Sequence, residues 1–182
     1  MNKTNVLKTS KLVLMVAALF IGSIATAQSA KDKKLIGDVQ DAKAEFIATD
    51  ALMQNLFDNA AGWVIFPNVG KGAIGIGGAA GNGIVYENGV AVGSAKMKQV
   101  SIGFQFGGQA YREVIFFESA ADLARFKDDK FEFSAQASAV AATKGVSGNV
   151  KYREGVMIFT QQKGGLMYEA SVGGQKFDYT AF

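Results

Sequence analysis

The chain has no cysteine and no histidine among its 182 residues. Without cysteine there is no disulfide, no thiol nucleophile and no attachment point for the lipid of a bacterial lipoprotein. Without histidine the commonest general base and metal ligand are missing as well. Carboxylates, lysines, tyrosines and hydroxyls are the chemistry that remains. Proline and tryptophan occur once each, at Pro67 and Trp63. A strong excess of either charge is also lacking: 19 basic residues stand against 16 acidic ones.

The excess of three sits at the start. Lys3, Lys8 and Lys11 precede an apolar run of 13 residues from Leu12 to Ile24, and Ala25-Thr26-Ala27 follows as a small-x-small site before Gln28. That order is a secretory leader; a membrane span needs about 20 apolar residues. The expectation is therefore a cleaved leader over 1–27 and an exported chain, periplasmic or secreted, of 155 residues over 28–182 with 16 basic and 16 acidic residues. A formally neutral domain has no bulk basic field for nucleic acid. Its length suits one domain that buries roughly 70% of its unfolded surface.

Within 31–61 the spacing predicts helices. Leu35, Ile36, Val39, Ala42, Phe46 and Ile47 recur at helical intervals, and Leu52, Met53, Leu56, Phe57 and Ala60 would follow in a second helix capped by Thr49 or Asp50 and stopped at Gly62. From Trp63 the period drops towards two. Val100, Ile102, Phe104 and Phe106 share one face, and Phe131 to Val140 alternates apolar and polar. Val114 to Phe117 is apolar on both faces and predicts a strand covered on both sides. Gly81-Asn82-Gly83, Asn88-Gly89, Gly107-Gly108, Gly148-Asn149, Gly164-Gly165 and Gly173-Gly174 read as turns. Sheet is expected over 63–118 and 131–180, with a short helix over 119–127 capped by Ser119. Of the 22 glycines, only Gly22 leaves with the leader. Many of the others, such as Gly75, Gly77, Gly93 and Gly103, fall within strands, where glycine marks bending or close approach. The fold class is α+β and mostly β: N-terminal amphipathic helices packed on a strongly curved, glycine-rich antiparallel sheet or small barrel.

Catalytic motifs fail on inspection. Gly145-Val146-Ser147-Gly148-Asn149 ends in Asn149 where a nucleophile elbow needs glycine. Asp128-Asp129 has no calcium-loop spacing after it. Gly75 to Gly81 continues into the strand Gly83-Ile84-Val85-Tyr86 rather than a helix, so no helix terminus meets a phosphate. Gly70-Lys71-Gly72 lacks the hydroxyl of a phosphate loop. No enzyme, cofactor or metal is expected.

The segment Lys31 to Phe57 has two readings. It is a helix pair covering the sheet, or a membrane-surface helix with Lys31, Lys33, Lys34 and Lys43 near headgroups and Phe46, Ile47 and Phe57 at the acyl boundary. Asp38, Asp41, Glu45 and Asp50 weaken the second. Lys71, between two glycines, is a further candidate for headgroup contact.

Four blocks carry a resemblance. Ala60 to Gly78 resembles the opening of the SYLF domain, with Gly83 to Tyr86 fitting its next strand. Ser101 to Gln109, Phe131 to Ala142 and Lys163 to Gly174 are similar to its later blocks, in the family's order. The resemblance implies one lipid-binding domain, helices first and sheet after, without catalysis. Eukaryotic members are linked to phosphoinositides and actin. For an exported chain, the implied partner is envelope phospholipid, and actin is not expected despite the family's label. Two alternatives stand beside this: a small outer-membrane β-barrel of eight strands, for which about 155 residues suffice, and an envelope protein that binds another protein through a sheet edge.

Overall fold

The structure, a computed structural model, describes residues 30–74, 76–101, 109–128, 131–134, 137–163 and 169–182. The expected leader, Gly75, most of the 100–107 alternation, Asp129 and the Gly164-Gly165 turn lie outside the described residues. The chain divides into two units, Met1–Lys34 and Leu35–Phe182. Of the first, only residues 30–34 are described, and they are helical.

Helix α1 covers 30–49, and α2 is Met53–Asn59. The strands are β1 Gly62–Ile74, β2 Ile76–Glu87, β3 Val90–Ser101, β4 Gln109–Phe117, β5 Ser138–Ala141, β6 Val156–Gln162, β7 Glu169–Ser171 and β8 Gln175–Ala181. Helix α3, Ala120–Lys127, follows β4, and Ser119 Oγ accepts the Asp122 N–H at 3.2 Å as its cap. The fold is thus mostly β with helices first, as expected. All strands form one sheet in the order β7-β5-β6-β4-β1-β2-β3-β8.

That order forces a tight curl. Eight strands laid flat would span about 33 Å. Yet β7 and β8, at opposite ends, are joined by residues 172–174 alone, a reach of roughly 14 Å. The two ends therefore meet. Phe133 N–H donates to Gln175 O at 3.0 Å, Phe177 N–H to Phe131 O at 3.2 Å and Val172 N–H to Ala137 O at 3.2 Å. The regular ladder nevertheless stays open, which decides between a curved sheet and a barrel in favour of the sheet. The sheet is also mixed rather than wholly antiparallel, because β5 runs parallel to β6.

The curl creates an inside and an outside. Inside lie Val64, Phe66, Met97, Ile115, Phe117 and Phe177, with Leu123 and Phe126 of α3 packed among them. Outside, Val39, Ala42 and Phe46 of α1 and Met53 and Phe57 of α2 cover Trp63, Ile65, Ile84, Val114, Phe116 and Phe159. Alternate residues of β1 and β4 feed the two cores, which accounts for the two-sided apolar run at 114–117. The outer face of β3 and β8 is charged instead: Lys98 pairs with Asp178 at 3.2 Å, and Lys176 with Glu132 at 3.3 Å. A membrane-spanning barrel would carry apolar side chains there, so this outer face argues against that alternative.

Local readings divide. Asn88 and Gly89 take φ of +50° and +78° and make the β2–β3 turn as expected. Gly81-Asn82-Gly83 is not a turn: β2 runs straight through it. A Cβ on Gly83 would lie 2.5 Å from Ile65 O and 2.8 Å from the Phe66 ring. The glycine serves that close approach, beside a β1 irregularity between Ile65 and Asn68 that accommodates Pro67. Gly148-Asn149 closes a 3-10 turn over Val146–Asn149. Asp50 does not cap α2, whose N-cap is Leu52; its carboxylate instead accepts the N–H of Leu52 at 3.1 Å and of Ser147 at 2.8 Å. Helix α2 ends at Asn59, and Gly62 opens β1. The alternation over 131–140 is broken, because 131–133 bond to β8 while only 138–141 form a strand.

Candidate functional site

Three regions carry polar or charged side chains that packing alone does not require. The first is α1. Lys31, Lys33 and Lys34 are exposed. Further along, Phe46 is fully buried, Phe57 nearly so, and Ile47 half-buried. Lys43 lies over the Phe57 ring at 4.8 Å and the Trp63 ring at 5.3 Å. Trp63 stacks on Tyr86 at 4.0 Å, and Gln40 Nε2 donates to the Tyr86 hydroxyl at 2.7 Å. A cation held this way is anchored by the ring quadrupoles. Thr49 is tied to β6 through Gln161 Nε2 at 2.6 Å, and Arg112 Nη1 reaches Gln161 Oε1 at 2.8 Å and Glu45 at 4.0 Å. The structure therefore brings Lys43, Phe46 and Phe57 together on the outer core. For Phe46 and Phe57 to meet an acyl chain, the helices would have to leave the sheet. Lys71 stands in β1 opposite Ala79 and Gln109, about 26 Å along the strand from Trp63, and its side chain lies outside the described residues.

The second region lies inside the curl. Tyr111, Glu113, Ile115 and Phe117 share the inward face of β4. Glu113 is fully buried, faces Phe66 and Thr160 in register, and accepts the Gln175 amide N–H at 3.0 Å. Gln99, opposite Gln175, donates to Gly173 O at 3.1 Å. Burial pushes the Tyr111 phenol up, and the charge of Glu113 adds to it; a hydrogen bond with Gln175 offsets part. The phenol is therefore held in its neutral form at physiological pH. The Gln175 amide thus holds the buried Glu113 carboxyl in place, with the Thr160 backbone opposite it in register. The period-two pattern of β4 placed Glu113 on an apolar face, so this signal was readable in the sequence.

The third region is a groove of about 810 Å³ where the sheet wall parts. One side carries Phe133, Ala137 and Val140; the other carries Val156, Met157 and Ile158, under a lip formed by 150–154. Tyr152 on that lip is half-buried, and burial, followed by the charge of Glu118, raises its phenol. Lys151 and Arg153 alternate with it and are exposed. Sequence reasoning did not find this groove. It arises from two strand segments diverging in space, for which no local pattern codes. Among the described residues, no three carboxylates gather as a metal cluster, and no helix is long and apolar enough to cross a membrane.

Residues 98–179 match the family model Ysc84, described as Las17-binding protein actin regulator. The match covers three of the four blocks on which the SYLF resemblance rests, and it supports that resemblance. No curated protein matches the chain.

Proposed function

From the premise that this chain carries SYLF-family sequence, we propose that it is a non-enzymatic, phospholipid-binding module that works in a bacterial cell envelope. The observation that carries this reading is the run Lys31, Lys33 and Lys34, three exposed cations within four residues of an amphipathic helix. Cations gathered so closely attract an anionic membrane surface, within a screening length of about 8 Å at physiological salt. With the apolar face of the helix seated on the sheet, docking begins as an electrostatic contact rather than an insertion. The leader-like pattern over 1–27 supports export.

Flotation of the purified protein on vesicles tests it. Vesicles containing phosphatidylglycerol should carry the protein upward, high salt should release it, and reversal of Lys31, Lys33 and Lys34 to glutamate should abolish flotation. Failure to float on anionic vesicles contradicts the proposal. A protein partner is the second reading, favoured by the family's description as Las17-binding and actin-regulating. Actin itself is not accessible to an exported chain, and co-sedimentation with filaments should leave this protein in the supernatant.

A further inference from the structure

The parting of the sheet wall has a definite cause. Strand β6 pairs with β4 along its whole length, from Phe117↔Val156 to Tyr111↔Gln162. On its other side it meets β5 only at Val140↔Phe159 and Ala141↔Thr160. The chain leading into β5 turns away, because residues 131–133 bond to β8 and Ala137 N–H donates to Ser134 O at 3.0 Å. The first residues of β6 are thus left facing a slit. Phe133, Val156 and Ile158 belong to the inner core, and Met157 is buried in the outer one, with Val140 and Tyr152 packed against it. The slit therefore opens onto apolar surface from both cores. A smaller space of about 270 Å³ adjoins it, sharing Phe133, Glu154 and Val156 and running on past Phe131 to Arg125.

The lip is built to stay in place. Glu154 holds φ of +53°, a left-handed backbone that non-glycine residues rarely adopt. Its carbonyl accepts Arg125 Nη2 at 2.5 Å, which ties the lip to α3. Arg153 and Val156 exchange backbone hydrogen bonds at 2.9 and 3.0 Å. Glu154 and Gly155, at φ of +53° and +80°, thus make the same kind of two-residue turn as Asn88-Gly89, and that turn fixes the course of the lip. Lys151 and Arg153, on the same lip, make no ion pair among the described residues. A volume of about 810 Å³ falls within the range of about 300–1,000 Å³ typical of sites for one small molecule.

We infer that this groove binds the tail of a single-chain anionic amphiphile, a long-chain carboxylate or a lysophospholipid, with the acyl chain between Phe133, Ala137 and Val140 on one side and Val156 and Ile158 on the other, and the anionic end at Lys151 and Arg153. The inference rests on the lipid reading of the preceding section and narrows it from a membrane surface to one monomeric lipid. Walls that are apolar in their depth, edged by Ser134, Ser138 and Asn149, and a lip that carries Lys151 and Arg153 beside the single acid Glu154 match the two ends of such a molecule, whereas a two-tailed phospholipid would leave one tail in water. Ser138, exposed at the groove's edge, gives a way to block it without touching either core.

The experiment is a titration of the purified protein with a fluorescent long-chain fatty acid below its micelle concentration, competed by palmitate, by lysophosphatidylglycerol and by a long-chain alcohol. Saturable one-to-one binding is expected, at least tenfold weaker in Ser138→Trp and several-fold weaker in Lys151→Glu/Arg153→Glu, with circular dichroism and melting temperature close to the parent in both. Competition by palmitate alone identifies the carboxylate, and competition by the lysophospholipid identifies the phosphate headgroup; both support the site. Absence of saturable binding, or unchanged binding in a folded Ser138→Trp, overturns it, and an alcohol that competes as well as palmitate overturns the role of the cationic lip. If the fatty acid binds but the protein does not float on anionic vesicles, the bilayer-docking proposal fails and the groove stands. If it floats but does not bind the monomer, only the groove fails.

Discussion

The inner and outer cores of this molecule share the same strands but are held in different ways. Inside the curl, side chains from β1, β3, β4, β6 and β8 meet one another and α3, with Phe177 in ring contact with Phe66, Phe126, Phe131 and Phe133. No element can leave without opening the sheet. Outside, the same sheet is covered by α1 through one face, chiefly Val39, Ala42 and Phe46, with hydrogen bonds to Tyr86 and Gln161 at its sides. A helix attached by one stripe opens at lower free energy than strands secured by ladders and by both faces. The inner core thus defines the fold, and the outer core is the layer that can open without unmaking it.

Deleting a large ring from each core tests this contrast most strongly. Phe177→Ala should lower global stability in urea denaturation by about 3–5 kcal/mol. Phe46→Ala should cost no more than about half of that globally, with the rest appearing as faster amide exchange confined to α1. Equal global losses would erase the distinction.

A smaller effect separates glycines of the two layers. Gly83→Ala places a methyl group against Ile65 O and the Phe66 ring. The strain should cost about 1–3 kcal/mol in thermal melts. Gly37→Ala on α1 meets nothing within 4 Å, and should instead stabilise by about 0.5–1 kcal/mol.

A pH-dependent effect comes from the acid that fastens the connection between the helices. Burial raises the pKa of Asp50, but hydrogen bonds from Ser147, Leu52 and Gly145 outweigh it, and the folded carboxyl sits below its ordinary value of 3.8. A depressed carboxylate contributes stability that is complete above the unfolded pKa and is lost as pH falls through the folded one. Asp50→Ala should therefore cost about 1.5–3 kcal/mol at neutral pH, and its gap from the parent should narrow below pH 3.8.

What the sequence made legible follows from the range of the interactions. The α1 stripe, the two-faced strand at 114–117, the Asn88-Gly89 turn and the Ser119 cap are local patterns, and each appears where its residues place it. Gly83 reads as a turn in isolation because the demand on it comes from Phe66, 17 positions earlier in the chain. Asp50 likewise bonds Ser147 rather than the helix that follows it. Helix periodicity marked Phe46 and Phe57 as apolar but could not say whether sheet or lipid covers them; the structure places both against the sheet. The groove at 133–158 was not legible, since it depends on where two strands stop pairing.

The central claim is that phospholipid meets the outer layer at the lysine-bearing helix while the curled sheet stays intact. Amide hydrogen exchange measured with and without phosphatidylglycerol vesicles tests it most directly. The account predicts altered protection across 30–49 and unchanged protection in β1, β4 and β6. Unaltered exchange in that helix on vesicle-bound protein, or loss of protection in those three strands, would contradict it.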